Sequence, residues 1–391
     1  LNVFRAQRKQ STKVFKFGVE VPQNLGDAIA FDKKNENSLW AEAIKKEIEQ
    51  LLALSTFRIL KRGMRKQAGY RYIPLHFVFD VKFNGRRKAR LVAGGHTTNP
   101  DTSEIYSGVV SIEHVRMALF LADLNDMDVI AADVGNAFLH GKTREKLYTK
   151  AGRGCGKLEG KYLVIDRSLY GLKTSAARWH EAFSDTLLRL RFVPSKADAD
   201  MWMRDCGDHY EYMAVYVDDL IIVSKDPMKI TKELKVEGGY ELKGVGEPEY
   251  YLGGDIVRHR TNDGKRKTVL SAKTYIKNIC EKVERIFEIT LRNYHSPLEG
   301  GYHPELDSSD LLQGDEISKY RMLIGSLNWA VTLGRVDVMF ASITLSRYSH
   351  APRKGHLKTA LRTFGYLKNH AKECIRFDTS FKDQPEDVKV N

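Results

Sequence analysis

The sequence YMAVYVDDLIIV at residues 212–223 consists of two apolar runs that flank a single charged pair, Asp218-Asp219. This pattern predicts two buried strands joined by a tight turn, with both carboxylates at its tip. A two-residue hairpin turn usually takes Asn-Gly or Asp-Gly because both positions need positive φ, so Asp-Asp is a poor structural choice. A bound divalent cation such as Mg²⁺ would explain the choice, since it takes oxygen ligands and offsets the repulsion between the acids. The alternative is a solvated turn.

A further carboxylate lies at the end of an earlier strand. The apolar segment 129–132 runs directly into Asp133. Two-metal phosphoryl transfer needs carboxylates from separate strands, which hold two ions about 4 Å apart to activate an attacking oxygen and steady the leaving group. Asp133, Asp218 and Asp219 together therefore indicate a centre for phosphoryl transfer.

The rest of the chain predicts further helices and strands in more than one domain, because 391 residues exceed one ordinary core. Ser38 is a candidate N-cap for a helix whose apolar stripe is Trp40, Ile44, Ile48 and Leu51. Asn84-Gly85 predicts a two-residue hairpin turn that leads into a basic return strand. Helical patterns recur at 111–125, 175–190, 272–287, 317–333 and 338–370, the last of them interrupted near Pro352, and a strand is predicted at 250–257.

Composition limits the possible partners and the compartment. The 63 Lys and Arg residues exceed the 50 Asp and Glu residues by 13, which predicts an acidic partner such as nucleic acid or an anionic membrane surface. No apolar run approaches the ~20 residues needed to span a bilayer, so we expect no membrane partner. The cysteines favour a reducing compartment, because we assign none of them to a CxxC or Cys/His cluster and hence predict neither a zinc knuckle nor a disulfide framework. They are Cys155, Cys206, Cys280 and Cys374.

Seven ordered segments carry a family resemblance. The two that contain the carboxylates are DVGNAFLHG at 133–141 and YVDDLIIV at 216–223. The others are KARLVAGGH at 88–96, SLYGLK at 168–173, YYLGGDI at 250–256, YRMLIGSLNW at 320–329 and LSRYSHAPRKGH at 345–356. Over about residues 38–375 the chain resembles the reverse transcriptases of copia-type (Pseudoviridae) LTR retrotransposons, the polymerase region of the Pol polyprotein.

The resemblance implies an α+β fold of the right-hand polymerase type, with a palm of antiparallel sheet and helices, fingers and a helical thumb. The expected regions are an N-terminal tether (1–37), fingers with an N-terminal helix (38–126), a palm (127–257, of which about 142–175 belongs to the fingers), a helical thumb or connection (258–375) and a polar tail (376–391). We find no acidic set typical of ribonuclease H and no integrase zinc ligands, so both activities are expected from separate regions of the same polyprotein.

The resemblance also implies roles for the carboxylates. Asp133 and Asp219 match the principal ligands of two Mg²⁺ ions, which Mn²⁺ can replace, and Asp218 matches the third carboxylate. Val134 would contribute its backbone carbonyl to a metal ion.

For the incoming deoxynucleotide, the resemblance implies that Lys88 and Arg90 contact the triphosphate and that Phe138 excludes a ribose 2′-hydroxyl. The alternatives are a solvated basic strand for Lys88 and a core position for Phe138. Thr174 matches a position that contacts the nucleotide in the family, where the usual residue is Gln. The threonine is therefore a departure from the family pattern.

For the template and primer, Lys173 and Tyr216 match contact positions, and Tyr251, Leu252 and Gly253 match the primer grip, whose alternative is a plain edge strand with a glycine bend. Near the end of the chain, the sequence opposes seven basic residues with Glu373 alone. They are Arg347, Arg353, Lys354, Lys358, Arg362, Lys368 and Lys372, of which Arg353, Lys354 and Lys358 are the implied phosphate contacts. The alternative is a solvated helix face.

The function implied is an RNA-directed DNA polymerase, in which a primer 3′-hydroxyl attacks the α-phosphorus of a dNTP on an RNA or DNA template. The expected location is the cytoplasm or a virus-like particle, with nuclear access for the element. One alternative is a catalytically inactive palm-fold relic or scaffold that binds nucleic acid, for which Thr174 is the sequence hint. Another is an RNA-dependent RNA polymerase, against which Phe138 argues.

Overall fold

The computed structural model describes residues 13–60, 69–82, 84–100, 104–262 and 264–379. The helices are α1 (Leu25–Lys34), α2 (Leu39–Ala53), α3 (Ile112–Leu124), α4 (Ser175–Arg189), α5 (Pro227–Gly238), α6 (Lys273–Phe287), α7 (Asp315–Thr332), α8 (Met339–Ser346) and α9 (Lys354–Asn369). The strands are β1 (Phe15–Lys16), β2 (Val19–Glu20), β3 (Phe57–Ile59), β4 (Arg71–Tyr72), β5 (Leu75–Val81), β6 (Arg87–Ala93), β7 (Asp128–Val134), β8 (Lys142–Lys150), β9 (Tyr162–Arg167), β10 (Val193–Pro194), β11 (Met201–Asp205), β12 (Tyr210–Tyr216), β13 (Asp219–Ser224), β14 (Leu242–Gly246), β15 (Tyr250–Tyr251), β16 (Gly254–Arg260), β17 (Arg266–Ser271) and β18 (Cys374–Arg376). This mixture of helices and separate, mostly antiparallel sheets confirms the predicted α+β class.

The chain divides into two compact units. The first unit comprises Leu1–Val109, Val134–Arg191 and Leu234–Glu241. It contains a four-stranded sheet of order β3-β9-β8-β4 and the separate hairpin β5-β6. The buried stripe of α2 packs with the inward side chains of that hairpin and of β9, and Trp40 meets Phe79 edge-on with ring centroids 5.5 Å apart. The apolar stripe predicted for this helix is therefore confirmed.

The start of α2 differs from the prediction. Ser38 is not a backbone cap, because its hydroxyl donates to the Glu42 side chain, 2.5 Å away. The carboxylate of Asp32 instead accepts hydrogen bonds from the backbone N–H groups of Trp40 at 3.1 Å and Ala41 at 2.9 Å. A buried acid from the preceding helix thus satisfies the first N–H groups of α2 and complements its dipole.

The tether predicted for residues 1–37 is wrong where the structure describes it. Residues 15–20 form the hairpin β1-β2, and α1 occupies Leu25–Lys34. The helix has only Ala28 and Asp32 buried, and one of these is charged, so its buried face does not form the long apolar stripe that a sequence pattern would report. Residues 1–12 lie outside the described part of the chain.

The hairpin β5-β6 has the predicted strands but a longer turn. Its closing hydrogen bonds run from the Lys82 N–H to the Arg86 carbonyl at 3.0 Å and from the Gly85 N–H to the Lys82 carbonyl at 2.8 Å, and Gly85 takes the positive φ of 78°. The two-residue Asn84-Gly85 turn is therefore wrong, although the glycine does supply the left-handed position.

The second unit comprises Val110–Asp133, Phe192–Glu233 and Leu242–Asn391. Its main sheet has the order β10-β11-β12-β13-β7-β14, and the pairs from β10 to β7 are antiparallel. Helix α3 covers this sheet through a core that includes Ala118, Tyr212 and Ile221. A second sheet has the order β15-β16-β17-β18, and helices α6 to α9 bury their own core around Tyr320 and Phe364.

Two structural findings bear on the predictions made from composition, one on membrane-spanning helices and one on the cysteines. Within the described part of the chain, no helix combines the length and the hydropathy needed to cross a membrane. The four cysteines are free thiols, yet the Cys206 thiol lies within 4.8 Å of ligand atoms of both His209 and Glu211. The prediction that no cysteine belongs to a Cys/His cluster is therefore wrong, because the hairpin between β11 and β12 brings these side chains together.

Candidate functional site

The turn between β12 and β13 is centred one residue earlier than predicted. Tyr216 pairs with Asp219, so the central residues are Val217 and Asp218, and Asp219 is the first residue of β13. Val217 has a φ of 58°, whereas Asp218 has no positive φ. This is the pattern of a type II′ turn, whose first central position normally takes Gly. The residue with the unfavourable positive φ is thus a β-branched valine and not one of the aspartates.

Three carboxylates converge at this end of the sheet. In the register of β13 with β7, Asp219 lies directly opposite Asp133, and directly opposed side chains have Cβ atoms about 5 Å apart. Asp218 precedes Asp219 in the turn. Asp133 and Asp218 are half-buried and Asp219 is exposed, so the group faces solvent. A set of hard oxygen donors from two neighbouring strands fits Mg²⁺ or Mn²⁺.

Val134, whose carbonyl was the fourth predicted ligand, is the last residue of β7 and is buried. Tyr216, on β12 immediately before the turn, has 36% of its surface exposed. Both residues therefore adjoin the carboxylates along the strands that carry them.

Tyr251 links the predicted primer grip to the carboxylates. Its hydroxyl donates to the backbone carbonyl of Asp219 at 3.1 Å. Burial, followed by the negative charge of Asp219, raises the pKa of the Tyr251 phenol well above its usual value, so it remains a donor at neutral pH. Leu252 and Gly253 form the two-residue turn from β15 to β16, with φ values of 47° and 91°. The segment is thus a tight hairpin that is attached by a hydrogen bond to the strand of Asp219.

Sequence reasoning missed Trp329, on α7. A Cβ placed on Gly253 would lie 3.3 Å from the indole Nε1, so the glycine permits close packing of the hairpin against this ring. Trp329 nevertheless keeps 43% of its surface exposed. The tryptophan within YRMLIGSLNW was visible in the sequence, but its exposure and its contact with Gly253 are known only from the fold, so the sequence alone gave it no role.

In the first unit, two of the predicted nucleotide contacts meet through a third residue. The Arg90 guanidinium lies over the Tyr170 ring at 5.2 Å, and the Phe138 ring centroid is 5.4 Å from that of Tyr170. Arg90 Nε is buried and has no hydrogen-bond partner among the described residues. Tyr170, in SLYGLK, was not predicted, since an aromatic in an apolar segment carries no specific signal.

Lys88 occupies a half-buried position on β6 opposite Asp80. The buried Glu47 of α2 accepts a hydrogen bond from the Leu91 N–H at 2.9 Å. Burial raises the pKa of Glu47, while the neighbouring charges of Arg90 and Lys88 act in the opposite direction. The basic strand is therefore positioned by a packed helix and is not a loosely solvated strand.

Two residues that were predicted to contact the nucleotide or the template make hydrogen bonds to other residues of the first unit. The Thr174 side chain is buried, and its hydroxyl donates to Glu145 Oε1 at 2.7 Å. Lys173 Nζ donates to the Thr98 carbonyl at 2.8 Å. The structure therefore gives Thr174 a structural partner and gives no support to a direct nucleotide contact by its hydroxyl. A buried threonine cannot be distinguished from an exposed one by its place in a motif.

The basic residues near the end of the chain are opposed by more than Glu373. Acids from other elements pair with Lys354 (Asp310, 2.8 Å), Arg362 (Glu299, 3.4 Å) and Lys368 (Glu284, 2.7 Å). Arg353 donates to the Ser309 carbonyl, and Lys358 is exposed on α9. The sequence impression of an almost unopposed basic face is wrong, because the opposing acids lie 44 or more residues away in the chain.

Comparison with known proteins identifies the family. Residues 56–293 match the family model described as reverse transcriptase (RNA-dependent DNA polymerase), and because this match covers more than half of the chain, the chain belongs to that family. The retrovirus-related Pol polyprotein from transposon TNT 1-94 of Nicotiana tabacum is 29% identical over 377 residues, which cover 92% of this chain and 27% of that protein. The corresponding polyprotein from transposon RE1 of Arabidopsis thaliana is 29% identical over 305 residues, covering 75% of this chain and 20% of the relative. The predicted relationship to copia-type LTR retrotransposon reverse transcriptases is thereby confirmed.

The chain therefore spans about a quarter of the length of the polyproteins that it matches. Among solved structures, a foamy viral protease-reverse transcriptase in complex with double-stranded DNA aligns with a TM-score of 0.43 at 17% identity. This alignment covers 84% of this chain and 48% of that chain.

Proposed function

We propose that this chain is an active RNA-directed DNA polymerase that extends a primer with dNTPs on an RNA or DNA template. The observation that carries the proposal is the direct pairing of Asp219 with Asp133, with Asp218 in the adjoining turn. Membership of the reverse transcriptase family supports the reaction type. In the reaction, the primer 3′-oxygen forms a bond to the α-phosphorus of the dNTP, and the bond to pyrophosphate breaks.

Two Mg²⁺ ions are the proposed cofactors, with Mn²⁺ as a substitute, and Asp133, Asp218, Asp219 and the Val134 carbonyl would hold them. When bound, the ions supply positive charge for the attacking and leaving oxygens. The chain itself fixes the positions of the carboxylates. Asp133 and Asp219 lie on paired central strands of a sheet, and the Tyr251 hydroxyl anchors the backbone of Asp219. Such preorganisation avoids a reorganisation cost during the reaction.

The dNTP is assigned to the residues of the first unit that cluster around Tyr170. The Arg90 guanidinium, held over the Tyr170 ring, is a cation that suits an anionic triphosphate. Phe138 packs against the same ring, so its position is constrained well enough to act against a ribose 2′-hydroxyl. We also propose that the template and primer lie along Tyr216, the Tyr251–Gly253 hairpin and the exposed Lys358, and that the predicted fingers, palm and thumb regions apply.

Primer extension by the full chain tests the proposal. With a primed RNA template, dNTPs and Mg²⁺, we expect extension that Asp218→Asn combined with Asp219→Asn lowers by at least about a thousandfold, because several kcal/mol of charge stabilisation are lost. A matched control is Asp315→Asn, which removes a 77% exposed carboxylate from the first turn of α7 and should extend normally.

Separate outcomes identify the alternatives. A parent protein that binds the template-primer but incorporates no nucleotide with either Mg²⁺ or Mn²⁺ would establish the inactive scaffold. Equal use of ribonucleotides and deoxynucleotides by the parent would remove the gating role of Phe138, and a preference for ribonucleotides would indicate an RNA polymerase.

A further inference from the structure

A cluster of metal-ligating side chains lies at the opposite end of β12 from the catalytic turn. The four residues CGDH at 206–209 connect β11 to β12. The ligand atoms of Cys206, His209 and Glu211 all lie within 4.8 Å of one another. Glu211 is seven residues before Asp218, which at the rise of a strand corresponds to about 20 Å or more. The cluster is thus separate from the three catalytic carboxylates.

The backbone fixes the two ends of this loop. Cys206 N–H donates to the His209 carbonyl at 2.9 Å, and the Gly207 N–H donates to Asp205 Oδ1 at 2.7 Å. Gly207 has a φ of 90°, which closes the turn without a side-chain clash. Cys206 and His209 are therefore presented from a short, hydrogen-bonded loop, and a preorganised loop loses less conformational entropy when it takes a ligand.

The hydrogen-bond partners of His209 and Glu211 leave both side chains able to bind a metal ion. Asp208 Oδ1 lies 2.6 Å from His209 Nδ1, and a carboxylate on one ring nitrogen orients the ring and leaves the other nitrogen as a lone-pair donor. Glu211 is 6% exposed and accepts hydrogen bonds from Arg204 and Ser224, each at 2.6 Å. A carboxylate offers about four lone-pair sites, so it can keep both hydrogen bonds and still bind a cation.

The ion pairs around the cluster allow Glu211 to be shared with a cation. Arg204 pairs with Glu233 at 2.8 Å as well as with Glu211, so it retains an acidic partner when Glu211 is shared. Asp208 is paired with Lys225 at 2.7 Å. Glu211 therefore does not carry the charge of Arg204 alone, and the Lys225 charge is held by Asp208.

We propose that Cys206, His209 and Glu211 form a binding site for one Zn²⁺ ion. Sulfur, imidazole nitrogen and carboxylate oxygen are the donors that zinc takes, whereas a thiol disfavours Mg²⁺. On binding, the S–H bond of Cys206 breaks, a zinc–sulfur bond forms and the proton passes to solvent. The site ties the loop to β12 and stabilises that end of the sheet.

Cobalt and zinc titrations of the full chain test the site. The Asp218→Asn, Asp219→Asn protein is the background, so that the catalytic carboxylates do not contribute. We expect one equivalent of Co²⁺ to produce a thiolate-to-metal absorption band that Zn²⁺ removes, and Zn²⁺ to raise the thermal midpoint. Cys206→Ser should abolish the band and weaken zinc binding by more than about tenfold. Loss of a residue that only hydrogen-bonds to a metal ligand already has an effect of about that size, and Cys206 is a direct ligand.

The matched control is Cys374→Ser, since Cys374 lies on β18 outside the cluster and should leave band and affinity unchanged. Cys206 is exposed, so its serine variant retains the fold, and His209→Gln provides a second test that does not disturb the Arg204–Glu211 pair. Absence of the band from the parent protein, or its persistence in Cys206→Ser, would overturn the proposal. Primer extension is not the readout, so the zinc site and the polymerase activity succeed or fail independently.

Discussion

At Val217 the backbone has a conformation that costs a β-branched residue about 1 to 2 kcal/mol, because φ is 58°. The turn has no room to relax, since Tyr216 and Asp219 are paired on either side of it. We predict that Val217→Gly raises the free energy of unfolding by about 1 kcal/mol, measured by urea denaturation. Only this change removes the Cβ that conflicts with the left-handed conformation.

Val217→Ala is the matched control for that prediction. Alanine loses the same side-chain contacts but keeps the Cβ, so the backbone cost remains and the protein should be less stable than the glycine variant. If Val217→Gly is no more stable than Val217→Ala, the turn is not strained at this residue.

The carboxylates at this turn were predictable as a group, but their individual positions were not. Two apolar runs around Asp218-Asp219 identify the hairpin, and the strand before Asp133 identifies its neighbour. A one-residue difference in register, however, decides whether Asp219 lies in the turn or pairs with Asp133, and an apolar run contains no mark that fixes register. Tyr170 and Trp329 were missed for a related reason, because their roles depend on residues that only the fold brings near them.

At the scale of an element, the connection between α7 and α8 depends on an ion pair between the buried Arg335 and the more exposed Asp337. Arg335 is 2% exposed and makes a two-point contact with Asp337, at 3.0 and 2.7 Å, and the Tyr366 hydroxyl donates to the same carboxylate at 2.9 Å. Burial raises the pKa of Asp337, but these hydrogen bonds and the charge of Arg335 outweigh it, so the pKa lies below its usual value. The pair therefore stabilises the folded state when Asp337 is ionised.

We predict that Asp337→Asn lowers the free energy of unfolding by about 2 to 3 kcal/mol at neutral pH, because Arg335 is left buried beside a neutral partner. Since the folded-state pKa of Asp337 is depressed, its stabilisation is present above pH 3.8 and is lost as the pH falls through the folded-state value. The difference between variant and parent should therefore narrow in acid. Denaturation at several pH values measures it, with the exposed Asp315→Asn as control; a difference independent of pH would contradict the assignment.

Short elements with few buried residues were the ones that sequence patterns could not reveal. The apolar stripe of α2 is regular enough to predict the helix, whereas α1 buries only Ala28 and Asp32 and lies within a predicted tether. The capping group of α2 illustrates the same limit, because Asp32 acts from a separate helix while Ser38, adjacent in sequence, does not cap the backbone. Local propensity identifies candidates, and tertiary contacts decide between them.

At the scale of the whole molecule, the excess of 13 positive charges is consistent with binding to nucleic acid, but the sequence does not say which cations are available for it. Lys354, Arg362 and Lys368 have acidic partners that come from distant segments of the chain. A linear sequence contains no information on such pairs. Lys358, which is exposed on α9, is therefore the better probe of phosphate contact.

We predict that Lys358→Ala weakens binding of a template-primer duplex to a similar extent whatever its base sequence. The variant should also lower the slope of log affinity against log salt by about one unit, because one phosphate contact and its released counterion are lost. Titrations of a labelled duplex at several salt concentrations measure the slope. The matched control is Lys45→Ala, which removes a lysine with a 77% exposed side chain from α2 and should leave the slope unchanged. An equal fall in slope for both variants would mean that net charge alone governs binding, whereas no fall for Lys358→Ala would place the duplex away from α9.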